Sequence, residues 1–165
     1  TSEMRFPVHK AYAAKVIYNS PISKEKSTAG VSALVDLNYA KLNAGDPAWQ
    51  GINGDVAVDV VFDEPTEIEK FEMTALRMTI HGTYLPENVE VFGSKDGKSY
   101  TKLGATEQVS ISHTQGRNKV TTEVSFPKTT VKSIRIKAKS VNPIPEGHHK
   151  AGNASRILID ELVVY

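Results

Sequence analysis

The densest group of side chains that could bind a metal or act in catalysis lies near the end of the chain, in Glu146-Gly-His148-His149. Histidine and glutamate are zinc ligands, and a helix carrying His-Glu-x-x-His presents two imidazoles on one face. Here the histidines are adjacent, so their side chains diverge, and the helical spacing is absent. The segment is therefore more typical of an exposed loop than of a transition-metal site.

A second segment, Gly93-Ser-Lys-Asp-Gly-Lys-Ser99, resembles a phosphate-binding loop. Only three residues separate its glycines, where the phosphate-binding motif has four, and it lies between two predicted strands rather than before a helix. The dipeptide Asp96-Gly97 is instead a strong signal for a β-hairpin, because both residues tolerate the positive φ of a tight turn. We predict a hairpin here.

Catalytic groups are not recognisable elsewhere in the chain. No serine lies in a nucleophile elbow, and no Ser/His/Asp set stands out among the scattered polar residues. Asp63 and Glu64 precede Pro65 in a predicted turn, where solvated carboxylates are expected. Asn153-Ala-Ser155 is a glycosylation acceptor only in a eukaryotic secreted protein. The sequence therefore indicates a protein that is not itself an enzyme.

The composition excludes further classes of protein. The 165 residues include 20 Lys+Arg and 19 Asp+Glu, and a net charge of +1 offers no electrostatic footprint for nucleic acid. The absence of cysteine excludes disulfides, cysteine-ligated zinc and thiol catalysis. No apolar run approaches the roughly 20 residues that span a bilayer, and residues 1–10 lack the apolar stretch of a signal peptide. The length suits one domain with an ordinary core.

Strands separated by turn residues must position the polar groups. Asp55–Phe62 alternates apolar and other residues with the period of two that is typical of a half-buried strand. Further strands are predicted at 68–76, 88–92, 99–103, 119–126, 133–138 and 157–165. The one helix candidate is a short segment from His9 to Val16. Regularly spaced strands with Pro and Gly between them predict an all-β antiparallel sandwich or jelly roll.

Two long irregular stretches, residues 18–54 and 141–155, interrupt the strand pattern. Irregular stretches of more than about a dozen residues are uncommon in a compact domain unless they bind something or are tied down. We therefore expect the function to reside in these two stretches.

Several motifs together resemble the discoidin, or coagulation factor V/VIII C-type, domain, also called the family 32 carbohydrate-binding module. The most specific is the hairpin Pro-x-x-Val-x-Val-x-x-Ser-x-Asp-Gly-x-x-Tyr, from Pro86 to Tyr100. The others are, in chain order, Ser27–Gly30, Ala33–Asp36, Ala48–Gly51 with Gly54-Asp55, Ile134–Ala138, residues 145–149 and Asp160-Glu161. The resemblance is greatest to the C-terminal modules of bacterial β-N-acetylhexosaminidases (chitobiases). It implies an eight-stranded jelly roll of galactose-binding-like topology over residues 18–165, with residues 1–17 as an N-terminal extension or linker.

Sugar sites in this family lie in loops at one end of the sandwich and combine an aromatic face with polar side chains. The resemblance implies sugar-binding roles for Arg77, His81, Tyr84, Glu146 and His148. His81 and Tyr84 are favoured first. The alternative is that Tyr84 packs on the sandwich wall and that His81 only satisfies loop carbonyls.

Other positions bear on the same site. Trp49, the only tryptophan, is expected to pack beneath the loops as core rather than to serve as a sugar platform. The late loop also offers His149 and Asn153. It carries Gly147 where relatives of the hexosaminidase type often have an aromatic residue, and this departure removes a stacking surface.

The family often holds one structural calcium between the early loop and the last strand. Calcium takes about six to eight oxygen ligands. Asp36 matches the family's early aspartate and Glu161 its late glutamate, with backbone carbonyls of residues 35–43 completing the shell. The family usually has Asp-Gly-Asn where this chain has Asp36-Leu37-Asn38. The alternative, that Asp36 caps a turn and Glu161 is an exposed strand residue, stays open.

The resemblance implies a non-catalytic carbohydrate-binding module of a bacterial glycan-degrading protein. Its glycan would end in a galactose- or hexosamine-type sugar. The absence of cysteine separates the chain from disulfide-closed eukaryotic members. The implied location is secreted, periplasmic or cell-surface, within a larger protein.

Two other functions are weighed against this one. A structural or protein-interaction spacer that packs on the parent's catalytic domain predicts an apolar surface patch and no aromatic-lined concavity. Phospholipid recognition needs protruding apolar loop tips beside basic residues, for which Met78 and Ile80 near Arg77 are thin support.

Overall fold

The computed structural model describes residues 8–20, 27, 29–107 and 114–165. These residues form seven strands: β1 (Lys15–Tyr18), β2 (Gln50–Asn53), β3 (Val56–Met78), β4 (Asn88–Ser94), β5 (Thr101–Glu107), β6 (Arg117–Lys139) and β7 (Arg156–Val164). Their only helical segments are two 3-10 turns, Val31–Val35 and Thr79–His81. The predicted all-β antiparallel class is confirmed, with seven strands in the described residues rather than eight. Neither 3-10 turn has the length or apolar character to cross a membrane.

The strand count differs because β3 and β6 are each 23 residues long. Segments 55–62 and 68–76, predicted as separate strands, are parts of β3, and 119–126 and 133–138 are parts of β6. The pairing of β3 with β6 is irregular between Val61 and Thr66 and again between Ile68 and Lys70. Pro65 lies within the first irregularity, where it costs no regular ladder hydrogen bond. The two strands therefore bend together instead of ending.

This bend divides the strands into two layers. One layer has the order β5, β4, the second half of β6, the first half of β3, and β1. The other has the order β2, β7, the second half of β3, and the first half of β6. A single apolar cluster joins the facing sides, with Val58, Val91 and Ile136 from the first layer and Phe71 and Ile159 from the second. The arrangement is a β-sandwich.

The early irregular stretch covers the outer face of the second layer. Leu76 and Met78 of β3 and Leu158 of β7 point outward and pack beneath Trp49, which is only 1% exposed. The indole Nε1 donates to the Lys41 carbonyl at 3.0 Å. The expectation that Trp49 belongs to the core is confirmed.

The helix expected from His9 to Val16 is wrong. Residues 10–13 form a turn that leads directly into β1, and Ala13 has φ 58°, a left-handed conformation in which an α-helix cannot continue. Ala11 is fully buried in the main core, and Lys10 N donates to the Val164 carbonyl at 2.8 Å. The described part of the expected N-terminal extension thus packs on the sandwich; residues 1–7 of that extension lie outside the described residues.

Candidate functional site

A cleft of about 490 Å³ opens at the end of the sandwich where β3 ends and β6 and β7 begin. Its lining residues are Asn43, Ala44, Gly45, Met78, Ile80, His81, Arg117, Lys150 and Arg156. They come from the early loop, the turn after β3, the late loop and the first residues of two strands. The cleft therefore combines both irregular stretches that the sequence marks out for function.

Strand pairing fixes two of the cations in this cleft. Met78, the last residue of β3, pairs with Arg117, the first residue of β6, so their side chains lie on the same face. Arg156 begins β7, and its backbone N–H donates to the Gly82 carbonyl at 3.3 Å. Its Nη2 also lies 3.4 Å from the Thr83 hydroxyl. Both guanidinium groups are thus anchored on strands rather than on free loops.

The early loop forms one wall of the cleft. The Asp46 carboxylate accepts from the backbone N–H of Ala48 and of Lys41, both at 2.9 Å. These hydrogen bonds, with that of Ala48 foremost, hold the pKa of Asp46 below its usual range, because they stabilise the charged carboxylate. The carboxylate is consequently used to shape the loop that carries Asn43 and Gly45.

His148 ties the late loop to the turn after β3. Its Nδ1 accepts from the Lys150 N–H at 2.9 Å, so Nε2 carries the proton and donates to the Thr79 carbonyl at 2.5 Å. The ring also meets Tyr84 edge-on at a centroid distance of 6.2 Å and stacks on His149 at 4.4 Å. Both ring nitrogens are occupied by the protein, so His148 positions Lys150 instead of facing the cleft.

His81 is the predicted sugar-binding residue that lies in the cleft. Its side chain is exposed, and its carbonyl accepts from Lys150 Nζ at 3.2 Å. The next residue, Gly82, has φ 75°, and a Cβ there would lie 3.1 Å from the Lys150 side chain. The left-handed conformation favours glycine at this point, and the late loop approaches it closely.

Tyr84 does not reach the cleft. It is fully buried and packs with Val141 and Ile144, and its hydroxyl has no hydrogen-bond partner among the described residues. Both of these neighbours belong to the late loop, so the ring packs against that loop and does not line the cleft. Tyr84 supports the late loop from below.

Arg77 lies on the other side of β3 from the cleft. It precedes Met78, and successive side chains of a strand point to opposite faces. Its Nε donates to Asn118 Oδ1 at 2.7 Å, and its Nη1 lies 3.5 Å from the Thr114 carbonyl. Arg77 and His81 are therefore not brought together.

The remaining candidates of the late loop stay outside the cleft lining. Glu146 and His149 are exposed, and Asn153 Nδ2 donates to the Lys150 carbonyl at 3.1 Å within the loop. Of the five residues expected to bind sugar, His81 alone lines the cleft.

The residues that the sequence did not single out are Arg117, Lys150 and Arg156. Each is a single basic residue without a local motif, at the start of a strand or within a turn. Arg117 and Arg156 meet because strand pairing brings the ends of separate strands to one edge, and the late loop brings Lys150 to the same place through His148. No pattern among neighbouring residues of the sequence marks these three positions.

Glu161, the expected calcium ligand of β7, is buried beside His9. The pairing of β3 with β7 is irregular between Met73 and Ala75, opposite this part of β7, and a bulge of this kind re-aims a side chain. Glu161 Oε1 accepts from His9 Nε2 at 2.8 Å and from the Leu37 N–H at 3.0 Å. His9 Nδ1 accepts from the Ala11 N–H at 3.2 Å, so the Nε2 atom carries the proton. Glu161 is thus not an exposed strand residue.

These contacts do not fit a calcium centre at Asp36 and Glu161. Two N–H groups already point at Glu161 Oε1, where a cation would be repelled, and only Oε2 lacks a partner among the described residues. Asp36 is exposed, and its Oδ1 accepts from the Asn38 N–H at 2.9 Å as a turn cap. The described residues contain no group of three metal-ligating side chains. Calcium at Asp36 and Glu161 is thus an expectation of the resemblance that these contacts do not favour, and chelation tests it.

Asp160, next to Glu161, is a buried carboxyl group. Its Oδ2 accepts from the Ala40 N–H at 3.2 Å, and its Oδ1 has no partner among the described residues. Burial raises the pKa of Asp160 to about 6, mainly because the charged form loses its hydration. The group therefore titrates well above the ordinary range of an aspartate.

Solved structures with the same fold are carbohydrate-binding modules and proteins that contain comparable domains. A chitosan-binding module from a chitosanase/glucanase of Paenibacillus sp. IK-5 matches with a TM-score of 0.60 at 10% identity, over 95% of this chain and 98% of that one. A family 32 module of Clostridium perfringens, in complex with GalNAc-β-1,3-galactose, matches with a TM-score of 0.54 at 14% identity, over 92% and 94%. A Ruminococcus gnavus GH29 fucosidase in complex with fucose gives 0.59 at 15%, over 95% of this chain.

These similarities establish the fold. The discoidin-like sandwich expected from the sequence motifs is confirmed, and the expected chitobiase-type relationship stays a prediction. The chain spans nearly the whole of the two modules but only 26% of the fucosidase. Its sequence matches no family model and no curated protein.

Proposed function

We propose that the chain is a non-catalytic carbohydrate-binding module that binds a glycan in the cleft at His81. The observation that carries the proposal is the position of this cleft, at the loop end of a sandwich whose structural neighbours include modules solved with sugar bound. His81 and Asn43 offer hydrogen-bonding groups to sugar hydroxyls, and Ile80, 69% exposed, offers apolar contact.

The wider setting is proposed on the same basis. The domain would form part of a secreted, periplasmic or cell-surface bacterial protein that degrades glycans, with the chitobiase or hexosaminidase type as the specific candidate. Weak sugar contacts would raise the local concentration of a tethered catalytic domain at its polymer. Glycans with terminal galactose- or hexosamine-type sugars are the candidate ligands, and N-acetylated hexosamines suit a basic cleft better than protonated amino sugars.

The second candidate function is a spacer that packs on the parent's catalytic domain without sugar affinity. One observation favours it: no Trp, Tyr or Phe of residues 8–20, 29–107 and 114–165 lines the cleft, and Trp49 and Tyr84 are both buried. The phospholipid hypothesis has less support, because Met78 is only 5% exposed and leaves Ile80 as the one protruding apolar side chain of the pair.

The test is a glycan array followed by titration calorimetry on the 165-residue chain, with neutral oligomers of galactose, N-acetylgalactosamine, N-acetylglucosamine and fucose and with acidic oligomers. We expect His81→Ala to weaken binding of any glycan that scores, by about tenfold for the loss of one or two contacts. His149→Ala is the matched control, because that exposed ring lies outside the cleft lining. Silence across the whole array would favour the spacer.

A further inference from the structure

The cleft has a positive charge that the chain as a whole lacks. Arg117, Lys150 and Arg156 line it, and none of the described residues that line it is Asp or Glu. The whole chain, in contrast, has a net charge of only +1. A concave surface lined by one sign of charge focuses the electrostatic field and attracts ligands of the opposite sign.

Two of these cationic side chains donate hydrogen bonds to backbone carbonyls rather than to carboxylates. Arg117 Nη2 donates to the Leu42 carbonyl at 3.2 Å, and Lys150 Nζ donates to the His81 carbonyl at 3.2 Å. Neither forms an ion pair with a carboxylate of the described residues. A guanidinium has five N–H donors and an ammonium three, so both groups keep donors for a ligand.

The rest of the lining favours a ligand that is recognised by its charge over one that stacks on an aromatic ring. Within the part of the chain that the structure describes, the imidazole of His81 is the only ring that lines the cleft. A neutral pyranose that relies on an aromatic platform gains little from such a surface. A carboxylate or sulfate gains charge-assisted hydrogen bonds, which are about twice as strong as neutral ones.

The cleft is also formed in advance of any ligand. The early loop is held by Asp46, and the late loop is held by His148 through the Thr79 carbonyl. Arg117 and Arg156 stand at the first positions of β6 and β7. Little ordering entropy is lost on binding, because the elements that carry the cations are already fixed.

We propose that this cleft binds an anionic glycan, one whose sugars bear carboxylates or sulfate esters, with Arg117 and Lys150 as the anion contacts. The inference rests on the proposed carbohydrate-binding function and names the ligand class of that same site. It also explains why a cleft without an aromatic platform can hold a sugar.

The experiment is titration calorimetry of the 165-residue chain with three matched probes: a neutral galactan oligomer, a galacturonan oligomer of the same length, and a sulfated galactan oligomer. The Arg117→Gln/Lys150→Gln double variant is compared with Lys128→Gln/Lys132→Gln, which removes the same charge from exposed positions of β6 outside the cleft. Thermal melts check that both variants are folded. Vesicles containing phosphatidylserine form a separate arm.

The expected result is tighter binding of at least one acidic probe than of the neutral one, by about tenfold, with affinity that falls as NaCl rises. The cleft variant should lose about tenfold or more, and the control variant should keep the wild-type affinity. The two acidic probes distinguish carboxylate from sulfate.

The remaining outcomes each overturn the proposal. Equal or tighter binding of the neutral oligomer would leave the carbohydrate-binding function standing without the anionic class. Equal losses of glycan affinity in both variants would show that the overall charge of the protein, and not the cleft, causes the binding. Binding of the phosphatidylserine vesicles alone would assign the cleft to a lipid headgroup, and the absence of binding to any glycan would overturn the proposed function as well.

Discussion

The imidazole of His9 and the carboxylate of Glu161 lie 2.8 Å apart in the interior of the protein, although 152 residues separate them in the chain. The contact joins the turn before β1 to the last strand, and both side chains are almost fully buried. His9 Nε2 donates one hydrogen bond to Glu161 Oε1, and the Leu37 N–H supplies a second. Protein donors from the N-terminal part of the chain thus satisfy Oε1 of this buried carboxylate, whereas Oε2 has no partner among the described residues.

We expect His9→Ala to lower the free energy of unfolding by about 2–4 kcal/mol, because it removes a donor from a buried carboxylate and leaves a void. His9→Gln retains an N–H donor of similar reach and should lose less than half of that. Urea denaturation of the three proteins measures the difference. Equal stability of His9→Ala and the wild type would show that the contact contributes nothing.

Chelation is expected to leave the protein unchanged. Because His9 and Leu37 already occupy Glu161 Oε1, the melting midpoint should be the same with and without excess EDTA. Differential scanning calorimetry of metal-treated and EDTA-treated protein measures it. A midpoint that falls with EDTA and returns with calcium would establish the metal site at Glu161 and Asp36 that the resemblance implies.

Asp160→Asn is expected to stabilise the protein at neutral pH. The folded-state pKa of Asp160, about 6, lies above its ordinary value, so the folded protein binds this proton more tightly than the unfolded chain does. The stability that this proton contributes is complete below about pH 4 and is lost as the pH rises through 6. The loss lowers the free energy of unfolding by up to about 3 kcal/mol. Asparagine removes that loss and can still accept from the Ala40 N–H.

The measurement is urea denaturation from pH 4 to pH 8, with Asp63→Asn as the exposed-carboxylate control. The Asp160→Asn protein should exceed the wild type by about 1–3 kcal/mol at pH 7, and the gap should close toward pH 4. A gap of constant size across this range would exclude titration of Asp160 as its cause.

Tyr84→Phe should retain both stability and glycan affinity. The hydroxyl is buried without a partner, so its removal is expected to change the free energy of unfolding by less than about 1 kcal/mol. Tyr84→Ala should cost about 3–5 kcal/mol, because it empties the small core beneath the late loop. Calorimetry and chemical denaturation check the pair. Loss of glycan affinity in a stable Tyr84→Phe protein would place the hydroxyl at the ligand after all.

Much of the fold follows from local sequence signals. Asp96-Gly97 predicts the hairpin between β4 and β5, where Gly97 has φ 76° and Asp96 Oδ1 accepts from the N–H groups of Lys98 and Ser99. Period-two alternation likewise places Val56, Val58 and Val60 on the core face. These features depend on residues within a few positions of one another, which is the range that sequence patterns report.

The helix prediction and the strand count were wrong for a different reason. Three alanines between His9 and Val16 favour a helix locally, but burial of Ala11 and the contact of His9 with Glu161 decide the conformation. The continuity of β3 through Pro65 depends likewise on its partner β6 bending at the same place. Tertiary contacts outweigh local propensity at both positions.

The candidate site was only partly accessible from the sequence. Length and irregularity mark out the two stretches that meet at the cleft, and His81, which the sequence singles out, lines it. The direction in which Arg77 and Tyr84 point, and the meeting of Arg117 with Lys150, depend on strand register and loop packing. Neither can be read from the spacing of residues along the chain.

The most direct test of a glycan site in this cleft is a nuclear magnetic resonance titration of isotope-labelled protein with an acidic oligosaccharide. We expect chemical-shift changes centred on the amides and side chains of His81, Arg117, Lys150 and Arg156. The Asp96-Gly97 hairpin between β4 and β5, which contributes no residue to the lining of this cleft, should change little. Saturable shifts located elsewhere, or none with any neutral or acidic glycan, would contradict this expectation.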